Sequence, residues 1–270
     1  LIRLLVSDID GTLVTTDKRL TGATTQAAEQ LRQAGVALAL TSSRPPHGIE
    51  VFAQSLGLPT PRGAFNGAVI TGAGGDVLSA HYLDPAIVDH VLATAKQAGI
   101  SPWLFTAAEW LLLDPHGDYV DFEAQTVKMP FRQVPDFGAA QNQAGKMMLA
   151  SRDTARLAQT EIDLQTQLGN RATVQLSQTY YLDITHPDGN KGHAVRAIAG
   201  ILNIPLADVA VIGDMGNDVP MFETAPLSIA MGQSPDAVKR RATHVTASNE
   251  DDGWARAVTD FILPQTQGQS

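Results

Sequence analysis

The 270-residue chain contains no cysteine. Disulfides, thiolate metal sites and a cysteine nucleophile are excluded together, and the absence fits a cytoplasmic protein. It also lacks any run of about 20 apolar residues, so no membrane-spanning helix is expected. The opening LIRLLVSDIDG is apolar, but it is too short for a signal peptide and turns acidic at once; it reads as a buried strand. Charged residues are scarce at 17%, yet 44% of the chain is hydrophobic, which excludes a mainly disordered protein. Basic residues are the scarcest class that bears on partners: 19 Lys and Arg against 28 Asp and Glu leave a net charge of −9. Only Lys239, Arg240 and Arg241 cluster, as a solvated helix end would. Nucleic acid, whose binding rests on neutralising many phosphates, is not an expected partner. A small phosphorylated ligand is still compatible with the charge, because a local cation site overrides the global field.

What is present is a pattern of buried strands and helices at both ends of the chain. Residues 2–7 form a compact apolar run of the kind found in parallel strands buried on both faces. Thr21 caps a predicted helix with Ala27, Ala28 and Leu31 on one face, and Gly35 stops it. Val36–Thr41 reads as a second strand, and Pro45 and Pro46 open a second helix towards Gly57. The far end repeats the alternation: a helix over Lys191–Leu202, a strand over Val209–Ile212, a helix starting at Met221–Thr224, a strand over Leu227–Met231, a helix over Pro235–Ala242, a short strand at His244–Thr246 and an amphipathic helix over Trp254–Ile262. The polar tail after Pro264 is expected to be disordered. The middle reads differently, with helices at 85–98 and 153–169 among strands at 103–106, 110–113, 146–150 and 180–184. The predicted class is α/β: a doubly wound, mainly parallel sheet over 1–83 and 184–270, interrupted by an α+β module over 84–183.

Three loops follow buried strands, where open α/β sheets bind ligands. They are Asp8-Ile9-Asp10-Gly11-Thr12, Thr41-Ser42-Ser43-Arg44 and Gly213-Asp214-Met215-Gly216-Asn217-Asp218. A fourth element, Gly189-Asn190-Lys191-Gly192, precedes a helix. Asp8, Asp10, Asp214 and Asp218 would converge at one sheet edge, where carboxylates raise one another's pKa and a hard cation relieves the repulsion. Oxygen-only ligands suit magnesium, which keeps several waters and takes one or two carboxylates plus phosphate oxygens. Ser42 and Ser43 offer hydroxyls and N–H groups to a phosphate, Lys191 offers a point positive charge, and Gly11 lets the backbone approach a ligand. Arg44 reads either as a phosphate ligand or as an ion-pair partner. Asn66 is equally a turn residue and a substrate contact.

In this order the four elements resemble the haloacid dehalogenase superfamily. DIDGTL at 8–13 is similar to its first motif, Ser42 to its second, Lys191 to its third and GDMGND at 213–218 to its fourth. The position of the inserted module, the Asn66-Gly67-Ala68 turn and the Asn249–Gly253 pattern resemble the Cof-type branch, with its type IIB cap between the second and third motifs. The resemblance implies a HAD-like, Rossmann-type core and a magnesium-dependent phosphatase acting on a small phosphorylated metabolite, sugar phosphates first among them. By it, Asp8 is the nucleophile that becomes an aspartyl-phosphate, and Asp10 is general acid and then base. Asp8, the Asp10 carbonyl and Asp214 hold the metal, with Asp218 helping directly or from behind. Ser42, Lys191 and Asn217 support the phosphate, and the cap sets specificity. One departure is Ser43, where the branch usually carries glycine. A phosphohexomutase of the same superfamily, and a non-catalytic phosphate-binding module, are the alternatives. The seven histidines show no metal-ligand spacing and read as structural or exposed, with His47 alone near the second motif. Trp103, Phe105, Trp110, Met147 and Met148 read as core of the inserted module.

Overall fold

The computed structural model describes residues 1–127 and 129–266. The chain divides into two units: Leu1–Ser43, Ile49–Leu78 and Asn190–Ser270 form the first, and Arg44–Gly48 with Ser79–Gly189 form the second.

Five parallel strands make the main sheet of the first unit, in the order His244–Val245, Leu227–Ala230, Val209–Gly213, Leu4–Ser7, Ala37–Leu40. The two central strands, Leu4–Ser7 and Val209–Gly213, are buried at every position, which explains why they read as uninterrupted apolar runs. One face, through Leu4, Val6, Val209 and Val211, packs against Val195, Ile198 and Phe222. The alternate face carries Ser7, whose hydroxyl oxygen accepts from the indole Nε1–H of buried Trp254 at 2.9 Å. The helix Gly22–Gln33 starts where expected, with the Thr21 hydroxyl accepting from the Thr24 N–H at 3.1 Å. It is followed by Gly35 at φ +74°. The helix Lys191–Ile201 is capped by Asn190, whose Oδ1 accepts from the His193 N–H at 3.0 Å. That cap fixes Lys191 as the first helical residue, buried on the sheet side.

In the second unit six strands form a mixed sheet in the order Thr173–Gln178, Tyr181–Thr185, Lys146–Ala150, Pro102–Phe105, Trp110–Leu112, Phe131–Gln133. One face, through Leu104, Leu111, Met147, Leu149, Leu182 and Ile184, packs against Val88, Val91, Leu157 and Leu164 of the helices Pro85–Ala98 and Thr154–Leu168. The period-2 alternation puts Trp103, Phe105, Trp110, Lys146, Met148, Tyr181 and Asp183 on the opposite face, where they too are buried.

The fold class is the expected one. Several elements differ in detail. The strand Thr173–Gln178 and the helix Val120–Val127 have no counterpart in the sequence reading, nor has the three-residue strand Phe131–Gln133. The first of these is a half-exposed edge strand whose TVQLSQ pattern carries too few apolar residues to stand out. The closing helix is α-helical only over Gly253–Ala257, then widens to a π turn over Val258–Ile262. Past Pro264 the chain is still tied down, since the Gln265 carbonyl accepts from the Ile2 N–H at 3.1 Å. Residues 267–270 of the expected disordered tail lie outside the described residues.

Candidate active site

The site grows from the ends of two neighbouring central strands. Leu4–Ser7 runs into Asp8 and Val209–Gly213 runs into Asp214, and the two strands pair in parallel register. The Asp8 N–H donates to the Ile212 carbonyl at 3.0 Å, so the ladder itself sets where the first loop leaves the sheet. Ser7 donates its hydroxyl proton to the Asp8 carbonyl at 2.7 Å while accepting from Trp254, which fixes the peptide beside Asp8.

Asp8, Asp214 and Asp218 then each offer a carboxylate oxygen within 4.8 Å of the others, and all three side chains are buried. Lys191, only 1% exposed, stands among them. Its ammonium donates to Asp8 Oδ1 at 2.5 Å and to Asp218 Oδ1. Asp218 Oδ2 accepts from the N–H groups of Asp214 (2.7 Å) and Met215 (2.9 Å), so both of its oxygens are engaged. Asp214 Oδ1 accepts from the Thr12 hydroxyl at 3.2 Å. Asn217 donates to Asn66 Oδ1 at 3.0 Å, and Asn66 holds a left-handed φ of +58° in the turn between the strands Arg62–Ala64 and Val69–Thr71. Gly11 sits at φ +81°, and any β-carbon there would collide with the Asp214 carboxylate.

The electrostatics follow from burial. Asp8 is held well above the ordinary carboxylate range by desolvation, with Asp218 and Asp214 adding to the rise and Lys191 opposing it. Asp214 is pushed up to about 6, again by desolvation first and by Asp218 second, against Lys191. Desolvation works against the Lys191 ammonium, but Asp218 and Asp8 outweigh it and its pKa rises above the ordinary lysine value. One lysine does not neutralise three buried acids. The uncompensated negative charge and an all-oxygen donor set fit a hard divalent cation.

Asp10, Ser42 and Arg44 have contacts of their own. The Asp10 side chain pairs with the Lys18 ammonium at 2.7 Å and lies at the rim, 31% exposed. The Ser42 N–H donates to the Gly63 carbonyl at 2.9 Å and the Ser42 carbonyl accepts from the Asn66 N–H at 2.8 Å, so its backbone is fixed on both sides. Arg44 belongs to the second unit, where its guanidinium donates to the Thr126 carbonyl at 3.4 Å. Thr12 and Lys18 are neighbours to which sequence reasoning gave no role in the site, and Asn66, read as a turn residue or a substrate contact, is a third neighbour. Thr12 stands inside the DIDGTL run and Asn66 in an Asn-Gly turn, so both carried a signal. Lys18, in a polar turn, carried none.

A buried carboxylate held by a lysine, with two further acids on the adjacent loop of a parallel sheet, is the arrangement the structure offers for chemistry on a phosphoryl group. The chain matches the family model for haloacid dehalogenase-like hydrolases over residues 5–258 and belongs to that family. It is a phosphatase, a phosphoric monoester hydrolase. It is 26% identical to the pyridoxal phosphate phosphatase YbhA of Escherichia coli over 271 residues, covering 97% of this chain and 99% of that one. It superimposes on a haloacid dehalogenase-like hydrolase from Bacteroides thetaiotaomicron with a TM-score of 0.88 at 25% identity, over 96% of this chain and 99% of the other. A subclass IIB sugar phosphatase, BT4131, shares the fold at a TM-score of 0.83 and 22% identity, over 97% and 99% of the two chains.

Proposed function

We propose that the protein hydrolyses small phosphate monoesters, sugar phosphates first among them, through an aspartyl-phosphate on Asp8 with Mg²⁺ as cofactor. The observation that carries this reading is the buried Lys191–Asp8 contact beside Asp214 and Asp218. An Asp8 oxygen attacks phosphorus, the bond from phosphorus to the leaving oxygen breaks, and Asp10 delivers a proton to that oxygen. A water then gives its proton to Asp10 and attacks the same phosphorus, which returns Asp8 as a carboxylate and releases inorganic phosphate. Lys191 opposes the rise in the Asp8 pKa, which favours the ionised nucleophile, and neutralises charge on the phosphoryl oxygens. Ser42 and Asn217 orient those oxygens. Because Asp10 pairs with Lys18, proton delivery requires that pair to open. Asp8, Asp214 and the Asp10 carbonyl would hold magnesium, with Asp218 fixing Lys191 and the Asp214 loop from behind. Bound there, the ion supplies charge neutralisation to the carboxylates and the phosphate.

Substrate choice is assigned to the second unit. On its sheet face opposite the helices, Lys146 lies 3.5 Å from Asp183, with Glu123 close by, and all three are at least nine-tenths buried. Desolvation raises the pKa of Asp183 and of Glu123, each opposed by Lys146. Buried, perturbed charges with no part in phosphoryl transfer suit a group that reads hydroxyls on a leaving group. The relatives named above differ in substrate, which is consistent with a variable second unit. The test is a panel of phosphorylated metabolites assayed with Mg²⁺ and again with EDTA, alongside Asp8→Asn. Release of phosphate, its loss on chelation and an acid-stable phosphorus adduct mapped to Asp8 by mass spectrometry are expected. Activity surviving Asp8→Asn would overturn the covalent route, and isomer interconversion without phosphate release would mark a mutase.

A further inference from the structure

A second set of metal-competent side chains lies wholly within the second unit and has no part in phosphoryl transfer. His81 follows the strand Val77–Ala80, and His186 and Asp188 follow the strand Tyr181–Thr185. Far apart in sequence, the three each present one ligand atom within 4.8 Å of the others. The two imidazole rings stack with centroids 5.1 Å apart and planes at 26°. His186 Nδ1 accepts the Asp188 N–H at 3.1 Å, so that nitrogen is unprotonated, and an ion bound to it would take the place of this single hydrogen bond. Asp188 Oδ2 lies 3.9 Å from the same nitrogen. Two tetrahedral bonds of about 2.0–2.1 Å would place their donor atoms about 3.3 Å apart, so a small side-chain adjustment closes this edge around an ion. His186 is 29% and Asp188 72% exposed in their side chains, which leaves room for water in the remaining positions.

The donor chemistry separates this site from the first. Two imidazoles and one carboxylate suit a borderline ion such as Zn²⁺, whereas the Asp8, Asp214 and Asp218 group offers only oxygen. We propose that His81, His186 and Asp188 form a second cation site, for a transition ion of the zinc class, that ties the opening and closing segments of the second unit to each other. Ser79 opens the long segment of that unit and Gly189 closes it, so both ends would be held by one ion.

The test uses the full chain with Mg²⁺ in excess, so that the carboxylate site is occupied. Calorimetric titration with Zn²⁺ is expected to give one site per chain. His81→Ala and His186→Ala lose it, and the exposed Asp188→Asn, which leaves the fold alone, weakens it by roughly tenfold or more. Loaded with Cu²⁺, the wild type shows two nitrogen ligands by electron paramagnetic resonance, and either histidine variant shows one. Zinc also slows amide exchange in peptides spanning 79–84 and 185–189. Zinc uptake that is unchanged by the histidine variants, or that disappears in Asp214→Asn, overturns the proposal.

Discussion

Magnesium binding to the first site should release protons, because the carboxylates that would hold it are ones that burial keeps partly protonated. Asp214, with a pKa of about 6, is ionised in roughly one molecule in ten at pH 5 and nine in ten at pH 7. Since the ion binds the carboxylate form, the apparent affinity falls about tenfold from pH 7 to pH 5 through Asp214 alone, or about 1.4 kcal/mol. Asp8 is shifted in the same direction and steepens the fall. Without the ion the linkage runs oppositely. The folded Asp214 holds its proton more tightly than an unfolded carboxyl, so folding stability drops as pH rises from about 3.8 towards about 6. Added magnesium should therefore raise the thermal midpoint more at pH 7 than at pH 5. Calorimetric titration in two buffers of different ionisation enthalpy reads the proton release directly. An affinity flat between pH 5 and pH 7, or uptake with no proton released, refutes the assignment of Asp214 as a ligand.

Three further outcomes follow from single contacts. Gly11→Ala forces a β-carbon into the Asp214 carboxylate from a backbone at φ +81°, and should lower magnesium affinity and phosphatase turnover together, by roughly tenfold or more in titration and steady-state assays. Lys191→Ala removes the ammonium shared by Asp8 and Asp218. Activity should be lost, and stability measured by denaturant unfolding should fall by about 3–5 kcal/mol less whatever protonation of the two acids recovers. Asn66→Ala takes away the partner of Asn217; it should raise KM for small substrates while circular dichroism stays unchanged, because the turn's conformation is one that glycine or asparagine tolerates best and the folding cost is about 1 kcal/mol.

Which parts of this were legible from residues alone depends on the range of the physics. The loops at Asp8 and Asp214 were readable because each is announced by a strand buried on both faces, and such strands need no partner to show their pattern. Lys191 was readable from its place before a helix, and its burial follows from the Asn190 cap. The division of labour among the acids was not readable. Asp218 looks like Asp214 in the GDMGND run, yet its two oxygens are taken by Lys191 and by two N–H groups of its own loop. Likewise Arg44 follows Ser42 and Ser43 in sequence, but the turn into the helix Pro46–Ser55 sends its guanidinium to Thr126.

The second unit shows where local pattern fails. Lys146 begins the run KMMLA and Asp183 interrupts the run YLDIT, and both strands are buried at every position. Only the register that sets Asp183 across from Met148, two residues beyond Lys146 on the same face, brings the charges together. The same holds for His81 and His186, which no spacing rule could join. Sequence periodicity reports which face a residue takes; pairing decides what it meets there. Charges that meet by side-chain pairing across a sheet, as Lys146 and Asp183 do, are therefore invisible until register is known, whereas a motif at a strand-to-loop junction, as at Asp8 or Asp214, is visible at once.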